Sequence, residues 1–172
     1  SVETGLCTKD IPQRITSLLK KEEVNRGHII REIVELNPDI IMTYGCSLIK
    51  YPLINAMRNK IINVHLGLSP YYFGAGTNLH AMVNNDFQCV GYTFMYMDEG
   101  IDTGDIILQK IFPINENDNY NTLLNVSYIY CSKILYDSLL LIKSGSVKRV
   151  PQKNIHPKGS YYRKRKSGDE YV

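Results

Sequence analysis

The tripeptide Asn63-Val64-His65 sets a carboxamide and an imidazole two residues apart inside an apolar segment, Lys60–Leu66. Side chains alternate along a strand, so Asn63 and His65 share one face while Ile62, Val64 and Leu66 share the other. The apolar set can anchor such a strand in a core. That leaves an amide donor beside a titratable ring at the strand's carboxyl end, where open α/β sheets bind ligands. Alone, an Asn-x-His is more often a satisfied polar pair at a strand terminus, because such a tripeptide is common by chance. A second feature follows at once: Gly67-Leu68-Ser69-Pro70-Tyr71-Tyr72-Phe73-Gly74-Ala75-Gly76, a loop whose glycines permit close backbone approach and whose proline stiffens the exit. It carries no Gly-Lys-Ser/Thr and is therefore not a phosphate-cradling loop. The third is Asp98-Glu99-Gly100-Ile101-Asp102-Thr103-Gly104-Asp105, four carboxylates in eight residues. Their spacing differs from the helix–loop–helix calcium pattern and the flanks read as strands, so a hairpin tip with solvated acids is favoured over a metal site.

The elements around these features must position them. Helical spacing of Ile29, Ile30, Ile33, Val34 and Leu36 predicts a helix over about Asn25–Leu36, stopped at Asn37-Pro38. A buried strand is predicted over Asp39–Tyr44, a helix over Tyr51–Met57, and the second strand over Lys60–Leu66, an alternation that predicts an α/β domain with a parallel sheet. After the glycine-rich loop come a short helix (Asn78–Asn84) and two strands, Gln88–Met97 and Ile106–Ile114. The link between those strands is too short for a crossover, so they should pair antiparallel. A long helix, Thr122 to Lys143, stops at Gly145 and is apolar on more than one face, compatible with packing between the sheet and a second copy in a homodimer. The rest, Val147–Val172, reads as an irregular tail with a basic cluster, Arg163-Lys164-Arg165-Lys166.

Bulk properties set limits. At 172 residues the chain suits one domain, and its 44% apolar content holds no run approaching a membrane span. A net charge of +3 does not of itself demand nucleic acid. Cys7, Cys46, Cys89 and Cys131 lack metal-ligand spacing and read as reduced thiols. With no signal pattern at Ser1-Val2-Glu3-Thr4, a cytoplasmic location is expected.

Taken together and in order, the motifs resemble one family. Ile62–Gly76 resembles the Asn-x-His…Pro…Gly signature of 10-formyltetrahydrofolate-dependent formyltransferases, and Met97–Ile106 resembles that family's second signature. Tyr44-Gly45-Cys46-Ser47-Leu48-Ile49 sits where the family has a strand-end loop. The resemblance runs over about residues 38–143. It implies a Rossmann-like formyltransferase fold: a mixed, mostly parallel sheet flanked by helices, with the antiparallel hairpin after the active-site loop. It implies N10-formyltetrahydrofolate as donor, catalysis by Asn63, His65 and Asp102, and no metal. Physical chemistry agrees with those roles. An amide N–H, and an imidazolium favoured by Asp102, can stabilise the alkoxide that forms when an amine attacks the formyl carbon, while Asp102 helps remove the amine's proton. Similarity to the family's pterin pocket assigns donor binding to Tyr44, Gly45, Ser47, Leu48 and Ile49, and to Met97, Asp98, Glu99, Gly100 and Ile101. Acceptor binding falls to Ser69, Pro70, Tyr71 and Gly74, with Tyr71, Tyr72 and Phe73 able to stack on a base or sugar or simply to pack.

The acceptor is a primary amine of unresolved identity. His65-Leu66-Gly67-Leu68-Ser69-Pro70 departs from the His-Pro-Ser-Leu-Leu-Pro usual in glycinamide ribonucleotide enzymes, and a methionyl-tRNA enzyme would be expected to carry a further tRNA-binding domain. The amino group of a nucleotide-linked amino sugar is the favoured acceptor, and nucleic acid the disfavoured one, the basic stretch Lys158–Lys166 reading as solvated tail. Residues 1–146 form the expected catalytic domain, without the strand–helix–strand unit with which the family begins. Two other classes stay open: a hydrolase in which water replaces the amine, and a non-catalytic folate-binding remnant.

Overall fold

The computed structural model describes residues 19–20, 22–156 and 159–164. The readings that rest on Cys7, Lys158, Arg165 and Lys166, and nearly all of the one on Ser1–Lys21, lie outside the described residues. Helix α1 (Gly27–Glu35) turns Ile30 and Ile33 toward the core and ends where Asn37 takes a left-handed φ of +43° ahead of Pro38. Strand β1 (Ile41–Thr43) leads through the Tyr44–Ile49 loop to α2 (Tyr51–Ala56), whose Pro52 occupies the first turn, where a missing N–H costs nothing. Strand β2 (Ile61–His65) lies parallel to β1, with Thr43 opposite Asn63.

The glycine-rich loop then contains a short strand absent from the sequence reading, β3 (Tyr72–Gly74), before α3 (Thr77–Val83). Strands β4 (Gly91–Tyr96) and β5 (Ile106–Ile111) form the expected antiparallel hairpin. Because β4 also runs antiparallel to β2, the four-stranded sheet has the order β1-β2-β4-β5 with one parallel and two antiparallel pairings. The sheet is mixed as expected. Within the described strands it is not mostly parallel, since the hairpin supplies half of them.

Alternation along β2 divides the core in two. Ile62 joins Tyr92, Phe94, Val90 and Phe112 on one face, with Leu123, Ile134 and Leu135 of the last helix against them. Ile61 joins Ile49, Leu53 and Met57 on the other, under α1 and α2. Asn63 and His65 stand on that second face, beyond the end of its apolar cluster, where polar side chains meet a cavity rather than methyl groups.

Helix α4 (Tyr120–Lys143) is capped by Asn119, whose side chain accepts from the Asn121 and Thr122 amides while Thr122 Oγ1 accepts from the Asn119 amide. Removing those acceptors with Asn119→Ala is expected to lower stability by about 1 kcal/mol, read from the denaturant midpoint at unchanged m-value. The helix buries Leu123 and Ser127 but leaves Tyr128, Ile129, Leu140 and Leu141 about half exposed and Tyr136 more so. None of the helices among the described residues is long and apolar enough to cross a membrane.

The segment expected to be irregular is partly ordered. Val150 makes a two-way backbone bridge to Ile106, and β6 (Ser160–Tyr162) pairs parallel with β3, bringing Tyr162 opposite Gly74. A Cβ on Gly74 would collide with the Tyr162 carbonyl, and with a φ of +99° the position suits glycine alone. Tyr162 stacks on both Tyr72 (5.6 Å, 7°) and His80 (4.0 Å, 19°), which clips the tail onto the active-site loop.

Candidate active site

Two elements deliver Asn63, His65 and Asp102 to one point. Asn63 and His65 come from the end of β2 and Asp102 from the β4–β5 loop, where it adopts a left-handed φ of +54° that aspartate tolerates better than most residues. Asp102 Oδ1 accepts from Asn63 Nδ2 at 2.6 Å, and Oδ2 accepts from the Gly74 amide at 2.8 Å. His65 Nδ1 lies 3.4 Å from Asp102 Oδ2, with His65 6% and Asp102 11% exposed. The Thr43 hydroxyl, 3.4 Å from Asn63 Oδ1, turns the amide so that its nitrogen faces the carboxylate.

The ring's other nitrogen fixes its protonation. His65 Nε2 is 3.1 Å from the Tyr72 carbonyl, which can only accept, so Nε2 carries hydrogen and donates. In the neutral ring Nδ1 is then a bare acceptor aimed at Asp102. Burial pushes the imidazole below its ordinary value near 6.5, more strongly than Asp102 and the Tyr72 carbonyl raise it. Desolvation thus favours the neutral ring and opposes the imidazolium that Asp102 favours, a contribution that motif reading does not see.

A cavity of about 660 Å³ opens over this cluster. All three candidate catalytic residues line it, as do Tyr44, Gly45, Ser47, Leu48 and Ile49 from the loop after β1 and Met97, Asp98, Gly100 and Ile101 from the hairpin loop. Glu99 faces a neighbouring groove instead, beside Arg58 and Asn59. Gly74 reaches the cavity, but Ser69, Pro70 and Tyr71 do not. Ser69 is wholly buried, its amide on the Thr93 hydroxyl at 3.1 Å and its carbonyl taken by Gln109. Pro70 is buried with it, joined by a cis peptide bond, and Tyr71 turns outward against His156. The chain meets the cavity again only when β3 ends. Tyr72 packs in the core, so of its two readings the packing one holds.

Other residues at the site went unread in the sequence. Tyr120, Leu124 and Tyr128 of α4 form one wall, and Tyr161, Tyr162 and Lys164 from the tail another. Tyr128 Oη meets Tyr44 Oη at 3.3 Å across the rim. Thr77 Oγ1 binds the Leu66 carbonyl and lies 3.5 Å from His65 Nε2. Helical periodicity can flag Tyr120, Leu124 and Tyr128 as one stripe, but no local signal brings the tail here. Asp98, counted among the loop's acids, serves the loop itself: Oδ1 accepts from Gly100 N at 3.1 Å and from Thr103 Oγ1 at 2.7 Å.

Comparison with known proteins adds an independent line. The formyl transferase family model matches residues 4–135. A methionyl-tRNA formyltransferase of Pelotomaculum thermopropionicum is 35% identical over 140 residues, 80% of this chain and 43% of that protein. The chain spans a little under half the length of the curated relatives it matches. Among solved structures, the formyltransferase PseJ from Anoxybacillus kamchatkensis, in complex with UDP-4,6-dideoxy-4-formamido-L-AltNAc and tetrahydrofolate, superposes with a TM-score of 0.66 at 30% identity, covering 74% of this chain and 65% of that one. WlaRD, a sugar 3N-formyl transferase in the presence of dTDP and 5-N-formyl-THF, gives 0.62 at 31% identity, covering 72% and 44%.

Proposed function

This chain belongs to the formyl transferase family, and from that premise we propose that it transfers a formyl group from N10-formyltetrahydrofolate to a primary amine. The observation that carries the reading is the convergence of Asn63, His65 and Asp102 on one cavity, with the carboxylate held from two sides. The amine attacks the formyl carbon, a new C–N bond forms, and the carbonyl oxygen takes up negative charge. One N–H of Asn63 is committed to Asp102; the second is the donor for that oxygen, and being an amide it cannot be titrated away. The proton released by the amine passes to the Asp102–His65 pair, where the Nδ1 lone pair and Oδ2 can share it. From there it goes to N10 of the folate as the old C–N bond breaks. No covalent enzyme intermediate is needed.

The donor's pterin occupies the walls made by Tyr44–Ile49 and Met97–Ile101, whose backbone amides and carbonyls can read a hydrogen-bonding ring edge. The tetrahydrofolate in the PseJ complex supports a folate as the donor class. For the acceptor we favour the amino group of a nucleotide-linked amino sugar. The UDP-sugar in the same complex supports it, as do Tyr161 and Lys164, a half-exposed aromatic ring and a cation on the tail side of the cavity. Methionyl-tRNA is the second reading, because the curated relatives named for it align over most of this chain.

The test is to offer 10-formyltetrahydrofolate with UDP- and dTDP-linked amino sugars, glycinamide ribonucleotide or methionyl-tRNA and to follow tetrahydrofolate release. Release that depends on an amino sugar is expected. Release at the same rate without any amine identifies a hydrolase, and no saturable binding of a folate analogue to the intact chain removes the reading altogether.

A further inference from the structure

Asp102 needs a hold that its own loop does not supply. Its left-handed backbone is disfavoured for residues with a Cβ, and the carboxylate reaches Asn63, His65 and Gly74 only while that backbone stays in place. Within the loop, Asp98 ties Gly100 and Thr103 to one another, which shapes the tip without anchoring Asp102. The anchor comes from the tail segment. Gln152, 8% exposed, sets its side-chain nitrogen 2.8 Å from the Asp102 carbonyl and 2.8 Å from the Gly104 carbonyl. A primary amide has two N–H groups, one for each of these acceptors, so a carboxylate or thioether of the same length would satisfy neither. Two residues earlier, Val150 is bonded to Ile106 in both directions (2.9 and 3.0 Å), so the position of Gln152 is fixed by the sheet itself.

We propose that Gln152 is a positioning residue: it clamps the carbonyl of the left-handed residue Asp102 together with that of Gly104 and so fixes the Asp102 carboxylate against Asn63, His65 and the Gly74 amide. The proposal rests on the formyl-transfer reading for its kinetic consequence, but not for its structural one. A reacting group displaced by about 1 Å costs about 10²-fold in rate. Gln152→Met keeps length and apolar bulk while removing both donors, and it is expected to lower kcat by about that factor.

Two readouts separate positioning from simple gluing of the fold. The first is ring NMR of His65 over pH in the intact chain, which needs no turnover. The groups facing that ring are the Asp102 carboxylate, the Thr77 hydroxyl and the Tyr72 carbonyl. Gln152→Met should shift the His65 titration in the same direction as Asp102→Asn. The second is a double-mutant cycle, in which Gln152→Met adds little to the loss already caused by Asp102→Asn, because both act through one group. If Gln152→Met fails to fold, Gln152→Asn, one methylene shorter and unable to span both carbonyls, carries the same tests. A variant that lowers only the melting temperature, with kcat and the His65 titration as in the parent, overturns the proposal, as does full additivity with Asp102→Asn. A parent protein inactive toward every amine sinks the transfer reading instead, while the ring titration still decides what Gln152 does.

Discussion

Replacing His65 with Ala is expected to lower turnover by about 10²- to 10⁴-fold, the range ordinarily lost with a positioned acid–base group, while a non-reactive folate analogue still binds. The loss follows from the ring's two contacts. Nε2 is spent on the Tyr72 carbonyl, so Nδ1 is the only site for a proton, and it faces the carboxylate that the amine's proton must reach. Alanine leaves Asp102 to take that proton alone and leaves the buried Tyr72 carbonyl without this donor. The pH profile supplies the sign. A neutral acceptor ring is present above its pKa, which burial has moved below the ordinary value near 6.5. Activity limited by this group should therefore rise with pH through a midpoint under that value and be level by neutrality, provided the amine offered is itself uncharged there. Were the ring required as imidazolium, activity would fall across the same interval. A profile that declines from acid to neutral pH, or full activity in His65→Ala, would remove the base assignment.

Gly104→Ala should destabilise the fold by about 3 kcal/mol, at the upper end of ordinary overpacking because the obstacle is backbone. A Cβ there would run into the Tyr96 carbonyl oxygen and lie 2.8 Å from its carbon, and Tyr96 is held in place by its pairing with Ile62 of β2 and by its amide's bond to the Asp105 carbonyl. The loop would be pushed away from Gln152, so turnover should fall with stability. Gly45→Ala is the internal control. It too lines the cavity, with a φ of +55°, but nothing lies within 4 Å of the added methyl. Only the left-handed strain remains, about 1 to 2 kcal/mol. Thermal or denaturant melts of the two variants should rank them in that order, and equal losses would show that the crowding at Gly104 is relieved elsewhere.

How far the site could be read in advance depended on what each residue's neighbours in sequence reveal. Strand alternation alone put Asn63 and His65 on one face, because a period of two survives any tertiary context. Asp102 could not be told from Asp98 or Asp105 by local chemistry; the family resemblance distinguished it, and the left-handed turn that aims it is a property of the folded loop. Ser69, Pro70 and Tyr71 misled because a proline- and glycine-rich loop beside a polar strand end looks exposed, whereas Thr93 and Gln109 draw Ser69 into the interior. Burial also moves the His65 pKa down, and burial is a sum over residues far apart in the chain. The tail was least legible. Gln152, Tyr161 and Tyr162 carry no periodicity, and their importance arises only through partners in distant segments.

That last pairing has a temporal consequence. The amides of Gly74 and Ala75 are consecutive donors: the first holds Asp102 and the second holds the Tyr162 carbonyl at 2.8 Å. During synthesis Asn63, His65 and Asp102 all leave the ribosome well before Ser160–Tyr162, which follows at only about 5–20 residues per second. A nascent chain thus possesses every reacting side chain while the strand that pins Gly74 is still being made. Assembly of the reaction centre is in this sense a late step, timed by the arrival of a segment that performs no chemistry.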